Sequence, residues 1–196
     1  MKRIVYSLSL FWLMTFSALA DEYDFDIKGM HAFIDFRIQH LGFSWMSGRF
    51  NHFDGFFSYD EQQPDKSSVS VTIDTSSIDT NHAERDKHLR GEAYLDVKQF
   101  PEAQFVSRSF KEAIDGTAIL VGDFTFRGIT KPLIIDVSPV GHGHDPWFGY
   151  RRGFVGETQF KLTDYGININ ILGDKSNVVY LKLSVEGLRK YINMSI

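Results

Sequence analysis

The 196-residue chain has no cysteine. Disulfides are excluded, and so are a catalytic thiol and a lipid carried on cysteine after processing. Basic charge is not in surplus: 21 Lys and Arg stand against 25 Asp and Glu. A partner bound through its phosphate backbone needs a basic stripe, so nucleic acid is excluded as a partner class. Linkers, low-complexity tracts and internal repeats are missing, which leaves one domain. No Gly-x-Ser-x-Gly elbow occurs, and helical periodicity is almost absent.

One stretch is apolar but for Ser7, Ser9 and Thr15. Ile4 to Phe16 follows Lys2 and Arg3, and Ala18-Leu19-Ala20 supplies the small residues that a signal peptidase reads. The run falls short of the roughly 18 residues that a spanning helix requires. Residues 1–20 are read as a secretory signal cleaved after Ala20, and residues 21–196 as a single domain in the periplasm. Losing Lys2 and Arg3 leaves 19 basic against 25 acidic residues, a net charge of −6. Without disulfides, such a domain is held by its core alone.

What the chain does have is alternation. Ala32, Ile34, Phe36, Ile38 and His40 share one face of an extended segment, and Phe33, Asp35, Arg37 and Gln39 the other. The same period predicts strands over Tyr23–Ile27, Val69–Ile73, Ala103–Lys111, Ala118–Phe126, Leu133–Val137, Phe154–Phe160 and Val179–Val185. Arg49–Tyr59 reads as a further strand with a bulge at Asn51-His52, and Gly42 to Gly48 as an aromatic link. Asn81, with Glu84 three residues on, predicts a capped helix over about His82–Arg90, in which Asp86 and Arg90 are spaced to pair. Another turn is expected near Tyr94-Leu95. The fold class is all-β: an extended eight-stranded antiparallel, lipocalin-like barrel with one or two short helices.

Along the inward faces, Phe36, Phe57, Phe105, Phe124, Phe126, Phe154 and Phe160 alternate with Ala32, Ala103, Ala118, Gly122 and Gly156. An eight-stranded barrel is either filled by its side chains or holds one slender ligand. The small residues fit a cavity or a taper equally well. Candidate lining residues are Ile34, Phe36, Ile38, His40, Phe57, Val71 and Phe105, with Leu120, Phe124, Phe126, Ile135, Phe154, Leu181 and Leu183. His40 ends its apolar face, either as a core histidine or as a donor to a ligand's polar head at the mouth. Arg85 is either half of a structural ion pair with Asp86 or a second head-group candidate. His142 and His144 fall in a Gly-His-Gly-His-Asp segment read as a solvated turn, with no second ligand pair. His82 and His88, six apart, do not share a helix face. No metal, cofactor or catalytic residue is assigned.

Several strings in this order resemble the YceI-like family of secreted bacterial lipid-binding proteins. They are Phe36-Arg37-Ile38-Gln39-His40-Leu41-Gly42, Phe53-Asp54-Gly55, the long run Thr80 to Arg90, Phe100-Pro101, Gly122 to Pro132, Asp145-Pro146-Trp147 and Val185-Glu186-Gly187. The resemblance implies a barrel that binds, stores or transports a polyisoprenoid, such as a quinone precursor or related long-chain amphiphile. It implies no catalytic residues, and is compatible with transient contact with a membrane or membrane quinone enzymes, and with a monomer or homodimer. The tail Leu188–Ile196 is longer and more apolar than the family usually shows. Two other readings stay open: an enzyme acting on a quinone-like or isoprenoid lipid in the same pocket, with His40 and the Arg85/Asp86 pair at its head, and a solid β-domain that serves as an interaction module.

Overall fold

The computed structural model describes residues 20–190. The segment expected to be a signal, up to residue 19, and the tail from residue 191 lie outside the described residues. The strands are β1 (Asp21–Phe25), β2 (Phe33–His40), β3 (Ser44–Phe50), β4 (Phe53–Tyr59), β5 (Ser68–Asp74) and the two-residue β6 (Ile78–Asp79). One helix, α1 (Ala83–Leu89), precedes β7 (Glu102–Glu112), β8 (Ala118–Phe126), β9 (Ile129–His144), β10 (Tyr150–Lys161) and β11 (Val178–Arg189). Among the described residues no helix is long and apolar enough to cross a membrane.

The barrel closes through eight antiparallel strands in the order β1-β4-β5-β7-β8-β9-β10-β11, with β11 returning to β1. Strand β11 keeps β10 along one edge, but its other edge is shared. Gly187, Leu188 and Arg189 pair with β1, while Val179 to Ser184 pair with β2. Beyond β2 the wall continues through β3 to β6. One end is therefore closed by a single short strand, and the other is widened by three additional ones. Barrel diameter grows with strand number, so the interior flares toward the β2–β3–β6 end.

Period-two sequence produces these strands. In β8, Ala118, Leu120, Gly122, Phe124 and Phe126 alternate as buried positions with more exposed Ile119, Val121, Asp123 and Thr125. Arg127 and Gly128, with φ of 48° and 71°, then reverse the chain in a tight hairpin onto β9. Left-handed geometry at both central positions matches the natural twist of the strands.

The structure corrects several boundaries. The link between Gly42 and Gly48 is mostly strand: Leu41 and Gly42 form a two-residue turn with φ of 54° and 81°, and β3 pairs with β2 from Ser44↔His40 to Phe50↔Ile34. Asn51-His52 is not a bulge within one strand but a corner, where the chain leaves the β2–β3 ladder to join β1 and β5. His142 and His144 belong to β9, and the solvated turn follows at 145–149. On the short helix, His82 rather than Asn81 is the cap, its Nδ1 accepting the Arg85 N–H at 3.2 Å. Asp86 and Arg90 do not pair. Asp86 accepts from Thr80, while Arg90 donates to the Ser76 and Ile78 carbonyls at 2.6 and 2.7 Å and holds the helix on the barrel.

Of the two readings of the small inward residues, close packing holds at several glycines. A Cβ on Gly122 would sit 2.5 Å from the Phe105 ring, one on Gly48 2.5 Å from Phe36, and one on Gly187 2.4 Å from Phe57. These glycines receive phenylalanine rings from neighbouring strands instead of leaving space. Gly122→Ala should therefore cost about 1–3 kcal/mol by overpacking. Gly141→Ala, with nothing within 4 Å, should stay within about 0.5 kcal/mol of the parent. Urea denaturation of the two variants checks the contrast.

Candidate functional site

Two chambers lie along the interior. The inner one has a volume of about 110 Å³ and presents no polar surface; Phe25, Phe57, Phe105, Phe110, Leu120 and Phe154 are among its walls. The outer one, about 440 Å³, lies at the flared end under α1. Ile73, Phe124 and Leu181 belong to both walls, so the chambers abut at a waist made by β5, β8 and β11. On the outer side, Phe124, Phe126, Phe160 and Tyr165 pack ring on ring at 5.3–5.8 Å. Burial pushes the Tyr165 hydroxyl up to about 12, so it remains neutral within this apolar wall.

Polar side chains gather where the outer chamber meets the surface. His40 and Gln39 come from the end of β2, and His82, Glu84, Arg85 and His88 from the helix and its cap. Outside this rim, apolar residues stand in water. Phe43 is 86% exposed at the β2–β3 turn, and Ile171 is 91% exposed. The two tips belong to adjoining loops. The Leu41 N–H donates to Ser176 Oγ at 3.1 Å, and the Ser176 hydroxyl donates to the Leu172 carbonyl at 3.0 Å.

At the opposite end Arg152, in phase with the inward residues of β10, is 6% exposed. Its guanidinium lies 4.2 Å from the Tyr59 ring centre and pairs with Glu61. Burial opposes its charge, but Tyr23 and Glu61 outweigh that and hold it raised. Tyr59, pushed up to about 12 by burial and by its hydrogen bond to Glu112, stays protonated.

A family model for the YceI-like domain matches residues 25–187. The chain belongs to the YceI-like family. A protein of Serratia proteamaculans named UPF0312 is 51% identical over 173 residues, covering 88% of this chain and 89% of that protein. A Pseudomonas aeruginosa protein of the same name is also 51% identical, covering 88% and 90%. Among solved structures, BcnA of Burkholderia cenocepacia superposes with a TM-score of 0.73 at 20% identity, covering 83% of this chain and 99% of that one. A polyisoprenoid-binding domain from Saccharophagus degradans, implicated in plant cell wall breakdown, gives 0.62 at 13% identity over 86% and 98%. These structural likenesses establish the shared barrel.

Every lining candidate falls on a wall of this YceI-like barrel. Ile34, Phe57, Val71, Phe105, Leu120, Ile135, Phe154 and Leu183 border the inner chamber. Phe36, Ile38, His40 and Phe126 border the outer chamber, and Phe124 and Leu181 border both. Arg85 joins the outer wall, and no ion pair joins it to Asp86. Instead, the two converge on Thr80, which donates to Asp86 from its N–H and its hydroxyl, and accepts from Arg85. His82 and His88, expected on separate faces, both reach the outer chamber, because His82 precedes the helix as its cap. Arg152 escaped the sequence reading. Its signal was present: it is the one charge in phase with Phe154, Gly156, Thr158 and Phe160.

The residue types of a metal site do meet elsewhere, at the narrow end. Asp26, His31 and Glu186 bring ligand atoms within 4.8 Å of one another. Arg151 already occupies the centre of this group, donating to Asp26 and Asp145 at 2.6 Å each and also to Glu186. The guanidinium supplies the positive charge that an ion would bring. Burial alone would raise the Asp26 carboxyl, but hydrogen bonds from His31, Arg151 and the Gly29 N–H bring it down to about 2. A depressed carboxyl stabilises the fold above its unfolded value, here its ordinary 3.8, and that contribution fades as pH falls toward 2. Asp26→Asn should cost about 2 kcal/mol at neutral pH. The gap between variant and parent should shrink below pH 4, read as urea midpoints across a pH series.

Proposed function

We propose that the protein is a carrier or store for a long-chain amphiphilic lipid, a polyisoprenoid or quinone precursor, held inside the barrel with its head at the flared mouth. The single observation that carries the reading is the pair of abutting apolar chambers, the outer one rimmed with polar side chains. An empty apolar cavity of 110 Å³ costs about 3 kcal/mol at 24 cal/mol per Å³, so the inner chamber gains by being filled. Ten buried methylenes at about 0.8 kcal/mol each reach the range of a micromolar complex before ordering costs are subtracted. Affinity at that level retains a lipid while allowing exchange. The polyisoprenoid-binding Saccharophagus domain, which shares this barrel, supports the same ligand class. A solid interaction module, by contrast, has no use for the chambers.

We assign this work to the periplasm on the N-terminal signal pattern, since a lipid between two membranes must be screened from water. Phe43 and Ile171, on adjoining loops at the mouth, suit insertion of the rim into a bilayer surface during loading. Apolar tips beside a lipid-holding chamber let a chain pass without crossing bulk water.

Native mass spectrometry of protein purified from its host's periplasmic fraction should show a chain beginning at Asp21 and carrying a lipid of defined mass. A ligand-free protein sinks the carrier reading. Turnover of the lipid, lost in His40→Ala, would favour an enzyme in its place. The double variant Phe43→Asp, Ile171→Asp should extract lipid from vesicles at least several-fold more slowly than the parent, measured by fluorescence transfer, with retention of pre-loaded lipid unchanged.

A further inference from the structure

Arg85 is held in an unusual way for a cation on an apolar wall. Its Nε donates to the Thr80 hydroxyl at 2.8 Å and its Nη2 to the Thr80 carbonyl at 2.7 Å. Both partners are neutral. Thr80 is itself fixed by buried Asp86, which accepts its N–H at 3.0 Å and its hydroxyl proton. The carboxylate thus orients Arg85 through an intervening hydroxyl, and among the described residues Arg85 makes no ion pair. Its remaining nitrogen, Nη1, has no protein hydrogen-bond partner there.

The partly buried guanidinium borders the outer chamber. Around it stand His40, His82 and His88, with exposed Glu84 the single acid on that wall. A guanidinium set by threonine keeps its charge and a planar edge for something else, and that geometry matches phosphate or carboxylate oxygens. Three histidines are further donors to such a group. A neutral head would leave the cation at the edge of an apolar cavity without an ion-pair partner, which is costly.

Resting on the reading of the barrel as a lipid carrier, we propose that Arg85 recognises a phosphate on the head of the cargo, which is an anionic lipid phosphate rather than a neutral alcohol or quinone. The apolar chain runs inward past the waist, and the phosphate stops at Arg85, with the rim histidines around it. Thr80 and Asp86 are positioning residues that act through Arg85.

The test is displacement of a solvatochromic dye from the full mature protein by geranylgeranyl phosphate and by geranylgeraniol, with lysophosphatidate as a third competitor. The phosphate should bind at least about 10-fold more tightly than the alcohol, as expected for a charge-assisted hydrogen bond, and the margin should fall with added salt. Arg85→Gln should bring the phosphate down to the level of the alcohol, and Arg85→Lys should keep part of the margin. Displacement of dye by the alcohol in each variant reports that the barrel is folded. Equal binding of phosphate and alcohol by the parent, or a margin that survives Arg85→Gln, overturns the head-group assignment alone. If no competitor displaces the dye, the carrier reading fails and this one with it. Lysophosphatidate matching the prenyl phosphate would assign the site to lipid phosphates in general; a clear deficit would restrict it to isoprenoid chains.

Discussion

The divided edge of β11 is the constraint on which the molecule depends. β1 pairs with only three of the twelve residues of β11, so β2 takes six of the others and brings β3 and β6 with it. From that division follow the flare, the two chambers and the waist between them. A barrel closed by eight strands along its whole length has room for little beyond its own side chains. Additional wall at one end creates volume there. The helix then covers the widened part, seated by Arg90 on the carbonyls of Ser76 and Ile78.

Polar groups are sorted along the same axis. Arg151 at the narrow end gathers Asp26, Asp145 and Glu186 from separate parts of the chain, and ties β10 to β11 and to the end of β1. Arg152, the next residue, falls in the opposite phase of the strand and is buried against Tyr59. Adjacent arginines on a period-two strand thus brace the same end from outside and inside. On the wall of the outer chamber Arg85 is held by neutral atoms. Charge at one end is neutralised for stability, and at the other it is left available.

Much of the barrel was legible because inward positions repeat every second residue. Ala118 to Phe126 and Val179 to Val185 carry that signal cleanly, and all the predicted lining residues reach a chamber wall. β3 was hidden because Gly48, an inward position, has no side chain to mark the period, and because Phe43 and Trp45 look like loop aromatics out of context. Trp45 in fact lies on the outer surface, against Arg37 and Tyr180. The corner at Asn51-His52 resembles a bulge, since both break alternation by about a residue; only the partners of the flanking strands tell them apart. The cluster around Thr80 was out of reach for another reason. Asp86 and Arg85 suggested an ion pair by proximity, whereas a threonine hydroxyl between them changes which charge remains free.

The lid over the outer chamber is fastened by other means than the barrel. Hairpin ladders join the long strands residue by residue, but the β2–β3 turn meets the loop carrying Ile171 through Ser176, and the helix is held through side-chain hydrogen bonds from Arg90 and Arg85. Segments attached in this way open at far lower free energy than a strand core. The mouth can breathe on its own clock while the staves below stay zipped. Admission of a guest and integrity of the vessel are consequently separate quantities, open to independent tuning by substitution at the two ends.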